Sequence, residues 1–155
     1  MQISASKVIA AAANYAIGDV VSESATAGTA WSFGGIERRV GEGVIIQSAL
    51  LTCDEDSLTA TYRLHLFDAN PSASMLNDNV AKAMDNDDRG KYLGFITFSA
   101  AADEGEFSRA QTLDIQLGVV PAVNTLYGIL EDTSGETAET VGMTITIKLF
   151  YTRAP

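Results

Sequence analysis

The stretch Thr144-Ile145-Thr146-Ile147-Lys148-Leu149-Phe150-Tyr151 alternates between apolar and polar side chains over its whole length. In an extended chain, successive side chains point to opposite faces, so the two isoleucines, Leu149 and Tyr151 share one face. The threonines and Lys148 fall on the other face. This period of two predicts a β-strand with one face in a hydrophobic core and one face toward solvent.

Two other stretches repeat this alternation, Thr61-Tyr62-Arg63-Leu64-His65-Leu66 and Leu113-Asp114-Ile115-Gln116-Leu117. Less regular patterns predict further strands at residues 31–36, 44–53, 92–98 and 126–131, with an early strand at 15–22. Polar and glycine-rich turns separate these segments, such as Asp54-Glu55-Asp56-Ser57 and Asp103-Glu104-Gly105-Glu106. About eight short strands with polar turns predict an all-β protein, a jelly-roll-like antiparallel β-sandwich.

One long connection interrupts the strands between about residues 69 and 90. Within it, residues 79–84 favour a short helix, and Asn70-Pro71-Ser72 opens a turn. We find no internal repeat and no linker, so residues 15–155 are predicted to form a single sandwich domain. Residues 1–14 are predicted to form an N-terminal arm that precedes it.

The charge balance excludes several kinds of partner. The chain has 155 residues with 20 acidic and 10 basic side chains, a formal net charge of -10. Such a surface repels nucleic-acid phosphates and anionic lipid headgroups, and the bases form no stripe along a predicted strand. No apolar run approaches the roughly 20 residues that span a bilayer. We therefore expect neither nucleic-acid binding nor membrane insertion.

The sequence offers little for catalysis or for holding a cofactor. His65 is the only histidine, it lies in the middle of a predicted strand, and no Gly-x-Ser-x-Gly motif accompanies it. Cys53 is the only cysteine, which excludes an intramolecular disulfide and indicates a buried, unreactive thiol. We expect no catalytic residue, no cofactor and no enzymatic activity.

The segment Asp85-Asn86-Asp87-Asp88-Arg89-Gly90 superficially resembles the start of a calcium-binding loop. Arg89 occupies a position that requires an oxygen ligand, and Ile96 stands where a bidentate glutamate is needed. The segment is therefore predicted to be a turn before the strand at residues 92–98, and no metal site is expected.

Acidic and aromatic side chains are two further kinds of group that could bind a ligand. Four carboxylates lie close together in sequence and are predicted to be solvated, in and beside a polar loop: Glu131, Asp132, Glu136 and Glu139. Trp31 and Phe33 share one face of a predicted strand. They could stack on a sugar ring, but a core position is the expected one for two aromatics at this spacing.

The central segment resembles a family of head decoration, or capsid cement, proteins of tailed bacteriophages. The resemblance rests on Leu66-Phe67-Asp68-Ala69-Asn70-Pro71-Ser72, on Asp78-Asn79, and on an aspartate-rich turn before Tyr92-Leu93-Gly94. A second part is Leu126-Tyr127-Gly128-Ile129-Leu130, followed by a polar loop and a last strand of alternating threonine and isoleucine. The resemblance as a whole covers roughly residues 44–152.

The resemblance implies a structural virion protein that is made in the host cytoplasm and binds the outer surface of a capsid shell. It also implies a homotrimer that stabilises the shell, with the chain itself and the major capsid protein as partners. The start of the chain has few charges, which suits a segment lying flat on another subunit. Candidate interface residues are Met1, Gln2, Ile3, Val8, Ile9 and Tyr15.

An alternative function is a carbohydrate- or receptor-binding module of the virion, such as a head fibre or a tail lectin. An exposed aromatic pair or a calcium site would favour it. An enzyme, such as a glycan hydrolase, is the least favoured class.

Overall fold

The computed structural model describes residues 1–10, 14–36, 42–135 and 142–154. Within them the chain forms eleven strands and two single turns of 3₁₀ helix. The strands are β1 (Gln2–Val8), β2 (Val20–Val21), β3 (Trp31–Gly34), β4 (Val44–Cys53), β5 (Tyr62–Phe67), β6 (Tyr92–Phe98), β7 (Ala102–Asp103), β8 (Ser108–Thr112), β9 (Leu117–Val119), β10 (Thr125–Asp132) and β11 (Thr144–Arg153). The helical turns are Ala73–Met75 and Asn86–Asp88.

The strands form two antiparallel sheets. The first sheet has the order β1-β11-β4-β8-β7, and β9 also pairs with β4. The second sheet has the order β2-β10-β5-β6, and β3 also pairs with β10. The predicted all-β sandwich is confirmed. The structure contains more strands than the expected eight because β2, β7 and β9 are only two or three residues long.

The core lies between the two sheets and uses the alternation read from the sequence. In β11 the side chains of Ile145, Ile147 and Leu149 are fully buried. In β5 the same is true of Tyr62, Leu64 and Leu66. Burial of one such side chain stabilises the fold by about 2 kcal/mol, so these two strands contribute much of the hydrophobic stabilisation.

The N-terminal segment is not an arm outside the sandwich. Gln2–Val8 form strand β1, which pairs antiparallel with β11 in continuous register from Gln2 opposite Phe150 to Val8 opposite Thr144. Ile3 and Ala5 face inward and Ser4 and Ser6 face outward, which is the same period of two with smaller side chains. Pairing with β11 supplies the backbone hydrogen bonds that a free arm would lack.

Two other predicted strands differ from the structure. In the segment 15–22 only Val20–Val21 are paired as a strand. Residues 113–116 separate β8 from β9, because Asp114 and Gln116 adopt left-handed backbone conformations with φ of 55° and 52°. A strand requires negative φ, so the apolar alternation there does not produce one.

The helix predicted at residues 79–84 is absent from the structure. Asn79 has a φ of 56°, and this segment hydrogen-bonds to residues 18–20 instead. The bonds run from Val20 N to Val80 O (2.9 Å), from Asn79 N to Val20 O (2.8 Å) and from Lys82 N to Gly18 O (2.8 Å). Contacts distant in sequence thus override a weak helical propensity. Among the described residues, no helix is long and apolar enough to cross a membrane.

Candidate functional site

The six residues predicted as a partner interface divide into two groups. The exposed residues are Met1, Gln2 and Val8. The buried residues are Ile3, Ile9 and Tyr15, which belong to the hydrophobic core of the same chain. Only the exposed three have side chains that can contact another molecule without rearrangement of the subunit.

The connection between β5 and β6 lies across the outer face of the second sheet. We call residues 68–91 the cover. Met75 and Leu76 of the cover pack against Val20, Phe67 and Ile129, which point away from the main core. The second sheet is therefore buried on both faces over part of its length.

Two buried aspartates hold the cover in place. Asp78 accepts hydrogen bonds from the Tyr15 hydroxyl (2.6 Å) and from the Ser22 backbone N–H (2.7 Å). A carboxylate that accepts hydrogen bonds from both a side chain and the backbone fixes the chain segments on either side of it. The cover is thereby tied to the chain on both sides of β2, to Tyr15 before it and to Ser22 after it.

The second anchor, Asp88, closes the cover on itself. It accepts hydrogen bonds from the Ser72 backbone N–H (2.8 Å) and from Lys91 Nζ (2.7 Å). Burial by itself would raise the pKa of Asp88, but the hydrogen bond and charge of Lys91 and the bonds from Ser72 outweigh it, so the pKa is lowered. The segment that resembled a calcium loop is thus a 3₁₀ turn whose buried carboxylate is bound by a lysine. Within the described ranges, no group of three or more His, Cys, Asp or Glu side chains could hold a metal ion.

Beside the cover, His65 and Glu131 form a buried pair on the outer face of the second sheet. His65 is 3% exposed and Glu131 is 7% exposed. Their side chains meet at 2.7 Å between His65 Nε2 and Glu131 Oε2. The same glutamate oxygen lies 3.3 Å from Lys82 Nζ and 3.8 Å from Arg63 Nη1. One carboxylate therefore faces an imidazole and two cations.

The hydrogen bonds assign the tautomer of His65. Nε2 must carry the proton because it faces a carboxylate at 2.7 Å, so Nδ1 accepts a hydrogen bond from the Tyr92 hydroxyl at 3.2 Å. Lys82 Nζ lies 3.4 Å from Nε2, which has no free lone pair in this tautomer, so the ammonium interacts with Glu131 instead. Both ring nitrogens are thus engaged within the protein.

Burial and neighbouring cations keep this histidine neutral, while hydrogen bonds and neighbouring cations keep this glutamate ionised. Burial lowers the pKa of His65, and the charges of Lys82 and Arg63 lower it further against the opposing hydrogen bond to Glu131. For Glu131, burial would raise the pKa, but the hydrogen bond from His65 and the charge of Lys82 prevail and lower it. Burial also raises the pKa of Tyr92. At neutral pH the cluster contains one anion and two cations.

Two aromatic side chains of β6 flank the cluster. The Phe95 ring lies 4.9 Å from the guanidinium carbon of Arg63, a cation–π contact, and 6.1 Å from the imidazole of His65. The Tyr92 ring lies 5.9 Å from the imidazole. Phe95 is 51% exposed and Tyr92 is 38% exposed. The two rings shield the histidine while presenting their other sides to solvent.

A cleft of about 450 Å³ opens between this cluster and the cover. Its lining combines apolar, polar and charged side chains, and it consists of His65, Lys82, Met84, Asp85, Asn86, Asp88, Arg89 and Tyr92. This lining includes no serine, threonine or cysteine side chain, and the hydroxyl that adjoins His65 within it belongs to Tyr92. The cleft has the volume and the mixed polarity to hold a small polar ligand.

The residues singled out from the sequence have mostly structural positions. Trp31 and Phe33 are fully buried, which confirms the expected core position and removes them as an exposed sugar-stacking pair. Cys53 is buried, as predicted. His65 has a structural position under the side chains of β6 and the cover.

The prediction of solvated carboxylates is wrong for Glu131 and Asp132, which are buried in β10. Asp132 accepts hydrogen bonds from the backbone N–H groups of Ser134 (2.6 Å) and Gly135 (2.8 Å), which shape the turn after the strand. These partners compensate for its loss of water. Glu136 and Glu139 lie outside the described residues.

The sequence did not reveal the grouping of His65 with Glu131, which are 66 residues apart. They meet because β5 and β10 pair with Ile129 opposite His65 and Glu131 opposite Arg63, which makes histidine and glutamate diagonal neighbours on one face. The only sequence signal for this pair was a titratable residue, His65 or Glu131, at an outward position of each strand. Lys82, which completes the cluster, was assigned to a helix.

Comparisons with known proteins give no family assignment. No family model and no curated protein matches the sequence. One similar solved structure is the "Capsid of Ralstonia phage GP4", with a TM-score of 0.49 and 14% identity over 100% of this chain and 84% of that chain. Another is "Latent aurone synthase (polyphenol oxidase) from natural source", with a TM-score of 0.35 and 11% identity over 82% of this chain and 25% of that chain. Both TM-scores lie below 0.5, so neither likeness assigns a function to this chain.

Proposed function

We propose that this chain is a structural protein of a tailed-phage virion that binds the outside of the capsid shell as a homotrimer and stabilises it. The partners are other copies of the chain and the major capsid protein. The site of action is the outer surface of the capsid, after synthesis in the host cytoplasm.

One observation carries this proposal. Several residues on which the sequence resemblance to head decoration proteins rests are those that hold the cover over the second sheet. Ser72 and Asp88 close the cover, and Asp78 ties it to the main body. A motif whose residues anchor a structural segment specifies an architecture, so the resemblance supports a shared scaffold, and the binding role is proposed by analogy with that scaffold.

A non-catalytic role is also part of the proposal. The cleft beside His65 lacks a serine, threonine or cysteine nucleophile in its described lining, and both nitrogens of the imidazole are engaged by Glu131 and Tyr92. The hydroxyl that meets the imidazole is that of Tyr92, and burial raises its pKa above the ordinary 10, so this hydroxyl keeps its proton at neutral pH. The arrangement favours a rigid scaffold over a proton-transfer site.

The test of shell binding uses phage heads that lack decoration. Purified protein is mixed with undecorated heads, and occupancy is measured by sedimentation followed by quantification of bound protein. We expect saturable binding and a higher temperature of shell disruption. Binding no greater than that of an unrelated acidic β-sandwich would contradict the proposal.

The test of the trimer is independent of the shell. Light scattering of the isolated protein should give three times the 16.4 kDa subunit mass at micromolar concentration. Trimerisation would strengthen attachment to the shell. Three subunit–shell contacts with dissociation constants of about 10 µM each, joined at an effective concentration of about 1 mM, give an overall dissociation constant near 1 nM. A monomer would contradict this part of the proposal.

A specific feature favours carbohydrate binding as a second candidate function. Tyr92 and Phe95 are partly exposed next to the cleft, where Asn86 and Arg89 offer hydrogen-bonding groups. Aromatic rings beside planar polar groups can stack on and orient a sugar. A glycan array compared between the wild type and Tyr92→Ala would test this, since retained binding in the variant would exclude this cleft.

A further inference from the structure

The outer face of the first sheet differs from the covered face of the second. We call it the bare face, because no described segment comparable to the cover lies across it. Its outward side chains form rows across four strands, and they are Gln2, Ser4, Ser6 and Val8 of β1, Thr144, Thr146, Lys148 and Phe150 of β11, Ser48, Leu50 and Thr52 of β4, and Arg109 and Gln111 of β8. The predicted interface residues Gln2 and Val8 lie at its edge.

No aspartate or glutamate occurs at these outward positions, although the chain has 20 acidic residues. Most positions are serine, threonine or glutamine, and the cross-strand neighbours Ser6 and Thr146 are hydrogen-bonded at 2.8 Å. Elsewhere an approaching acidic protein meets carboxylates, which repel it. Repulsion of an acidic protein is therefore weak over these strand positions, and carboxylates meet the face only at its margin, where Glu104 pairs with Arg109 and Asp54 accepts a hydrogen bond from the Thr144 backbone N–H.

Lys148 lies near the centre of the bare face, between Ser4 on β1 and Leu50 on β4. Across the described ranges it forms no ion pair, whereas Lys7, Lys82, Lys91 and Arg109 all do. In a chain with twice as many acids as bases, an unpaired and half-buried lysine is positioned to receive a carboxylate from another molecule.

The size of the bare face is compatible with a specific contact. Strand length and spacing give dimensions on the order of 25 Å by 20 Å, so a contact across the face buries roughly 1,000 Å² in total. That area is near the lower limit for a biological interface. Half-buried Leu50 and Phe150 supply apolar contacts within it.

We propose that the bare face binds a second copy of this chain, with a carboxylate of that copy meeting Lys148. This inference rests on the proposed self-association and names the surface that performs it. The second copy is itself acidic, because it has the same formal net charge of -10. Such a copy is matched by a face whose outward strand positions carry no carboxylate and whose centre presents a cation.

The experiment compares the self-association of variants by sedimentation velocity over a range of concentrations. Lys148→Glu reverses the central charge, and we expect it to raise the dissociation constant at least tenfold. Its matched control is Arg89→Glu, an equal charge reversal on the exposed cover, which should change the constant less than twofold.

A second variant guards against loss of folding as the explanation. Ser4→Glu adds a carboxylate directly across the strand pair from Lys148, where an opposite-charge pair favours the fold while it occupies the lysine. We expect weaker association, together with a melting temperature of the monomer that is equal to or slightly above that of the wild type. Thr97→Glu, an exposed position on the edge strand β6, adds the same charge elsewhere and should leave association unchanged.

The outcomes separate this inference from the proposed function. The inference is overturned if Lys148→Glu and Ser4→Glu associate as tightly as the wild type. It is also overturned if the wild type is monomeric at every concentration. Intact oligomers that no longer bind shells would assign the bare face to the shell and also overturn it. A dimer that Lys148→Glu dissociates supports the inference while contradicting the trimer, and binding of wild-type protein to undecorated heads tests the capsid role separately.

Discussion

The outer faces of the two sheets use their side chains in different ways. On the second sheet, His65 and Glu131 are buried among Lys82, Arg63 and the aromatic rings of β6. On the first sheet, the corresponding positions carry mostly serine, threonine and glutamine side chains that remain partly exposed, with one unpaired lysine. Both faces belong to antiparallel strands with the same alternation.

The difference shows what a covering segment requires of the charges beneath it. A buried charge is tolerated when opposite charges and hydrogen bonds compensate for lost water, as Glu131 illustrates with its three neighbours. On an open face water solvates the charge, and ion pairs contribute little to stability. Charges should therefore affect folding on the covered face and association on the bare face.

The largest expected effect follows removal of the glutamate under the cover. Glu131→Ala leaves Lys82 and Arg63 without their shared carboxylate and His65 without its acceptor, so we expect a loss of about 3 kcal/mol in the free energy of unfolding. Chemical denaturation measures it. The matched control is Glu104→Ala, which removes the carboxylate of the surface pair with Arg109 and should cost less than about 1 kcal/mol. Equal losses of stability in the two variants would contradict the expected difference between a buried carboxylate under the cover and an exposed surface pair.

A second expected effect concerns the packing of the cover. A methyl group added at Gly28 would lie 1.8 Å from the backbone oxygen of Leu76, so Gly28→Ala must displace the cover. Overpacking of this kind costs about 2 kcal/mol. At Gly118 of β9 a methyl group meets no atom within 4 Å, and Gly118→Ala should be nearly neutral. Thermal melts of Gly28→Ala and Gly118→Ala compare the two positions. An unchanged melting temperature for Gly28→Ala would show that the cover does not pack closely against Gly28.

The third effect is a dependence of stability on pH that originates on the covered face. The pKa of His65 in the folded state is lowered from 6.5, so below that pH the unfolded chain binds a proton that the folded chain does not. Stability should fall as the pH drops below 6.5, by at most about 1.4 kcal/mol per pH unit for one proton. The lowered pKa of Glu131 acts in the same direction, starting from its ordinary 4.5.

The measurement is chemical denaturation of the wild type and of His65→Gln at pH 7 and pH 5.5. The difference between the two pH values should be smaller in the variant, because glutamine does not titrate. Equal stability of the wild type at both pH values would contradict this prediction, because it would mean that His65 binds a proton as readily in the folded protein as in the unfolded chain.

The smallest effect is expected on the bare face. Thr146→Val removes the exposed hydrogen bond to Ser6 and retains a β-branched side chain suited to a strand. We expect a change of less than about 0.5 kcal/mol in the free energy of unfolding, measured at a concentration where the protein is monomeric. A loss comparable to that of Gly28→Ala would show that the outward hydroxyls stabilise the sheet itself.

Much of the fold could be predicted from local pattern. The alternation in residues 144–151 and 61–66 identified two central strands and the side chains that each one buries. Trp31, Phe33 and Cys53 were correctly assigned to the interior. These predictions succeed because a period of two, with large apolar side chains on one face, has few stable alternatives to a strand packed against a core.

The predictions that differ from the structure share a physical cause. Residues 79–84 have helical propensity but pair with residues 18–20, and residues 113–116 alternate but contain two left-handed residues. Local preference amounts to a fraction of a kcal/mol per residue, and contacts with distant segments exceed it. Gln2–Val8 were not recognised as a strand because Ser and Ala give a weak pattern, although pairing with β11 decides their conformation.

The sequence by itself determined the class of fold, the acidic charge and the inward faces of the principal strands, because these depend on composition and on spacing along the chain. The tertiary structure alone decided that His65 meets Glu131, that Lys82 joins them and that one outer face is covered while the other is bare. Those features depend on which strands pair and in what register. Register joins residues far apart in the chain, so no local pattern contains it.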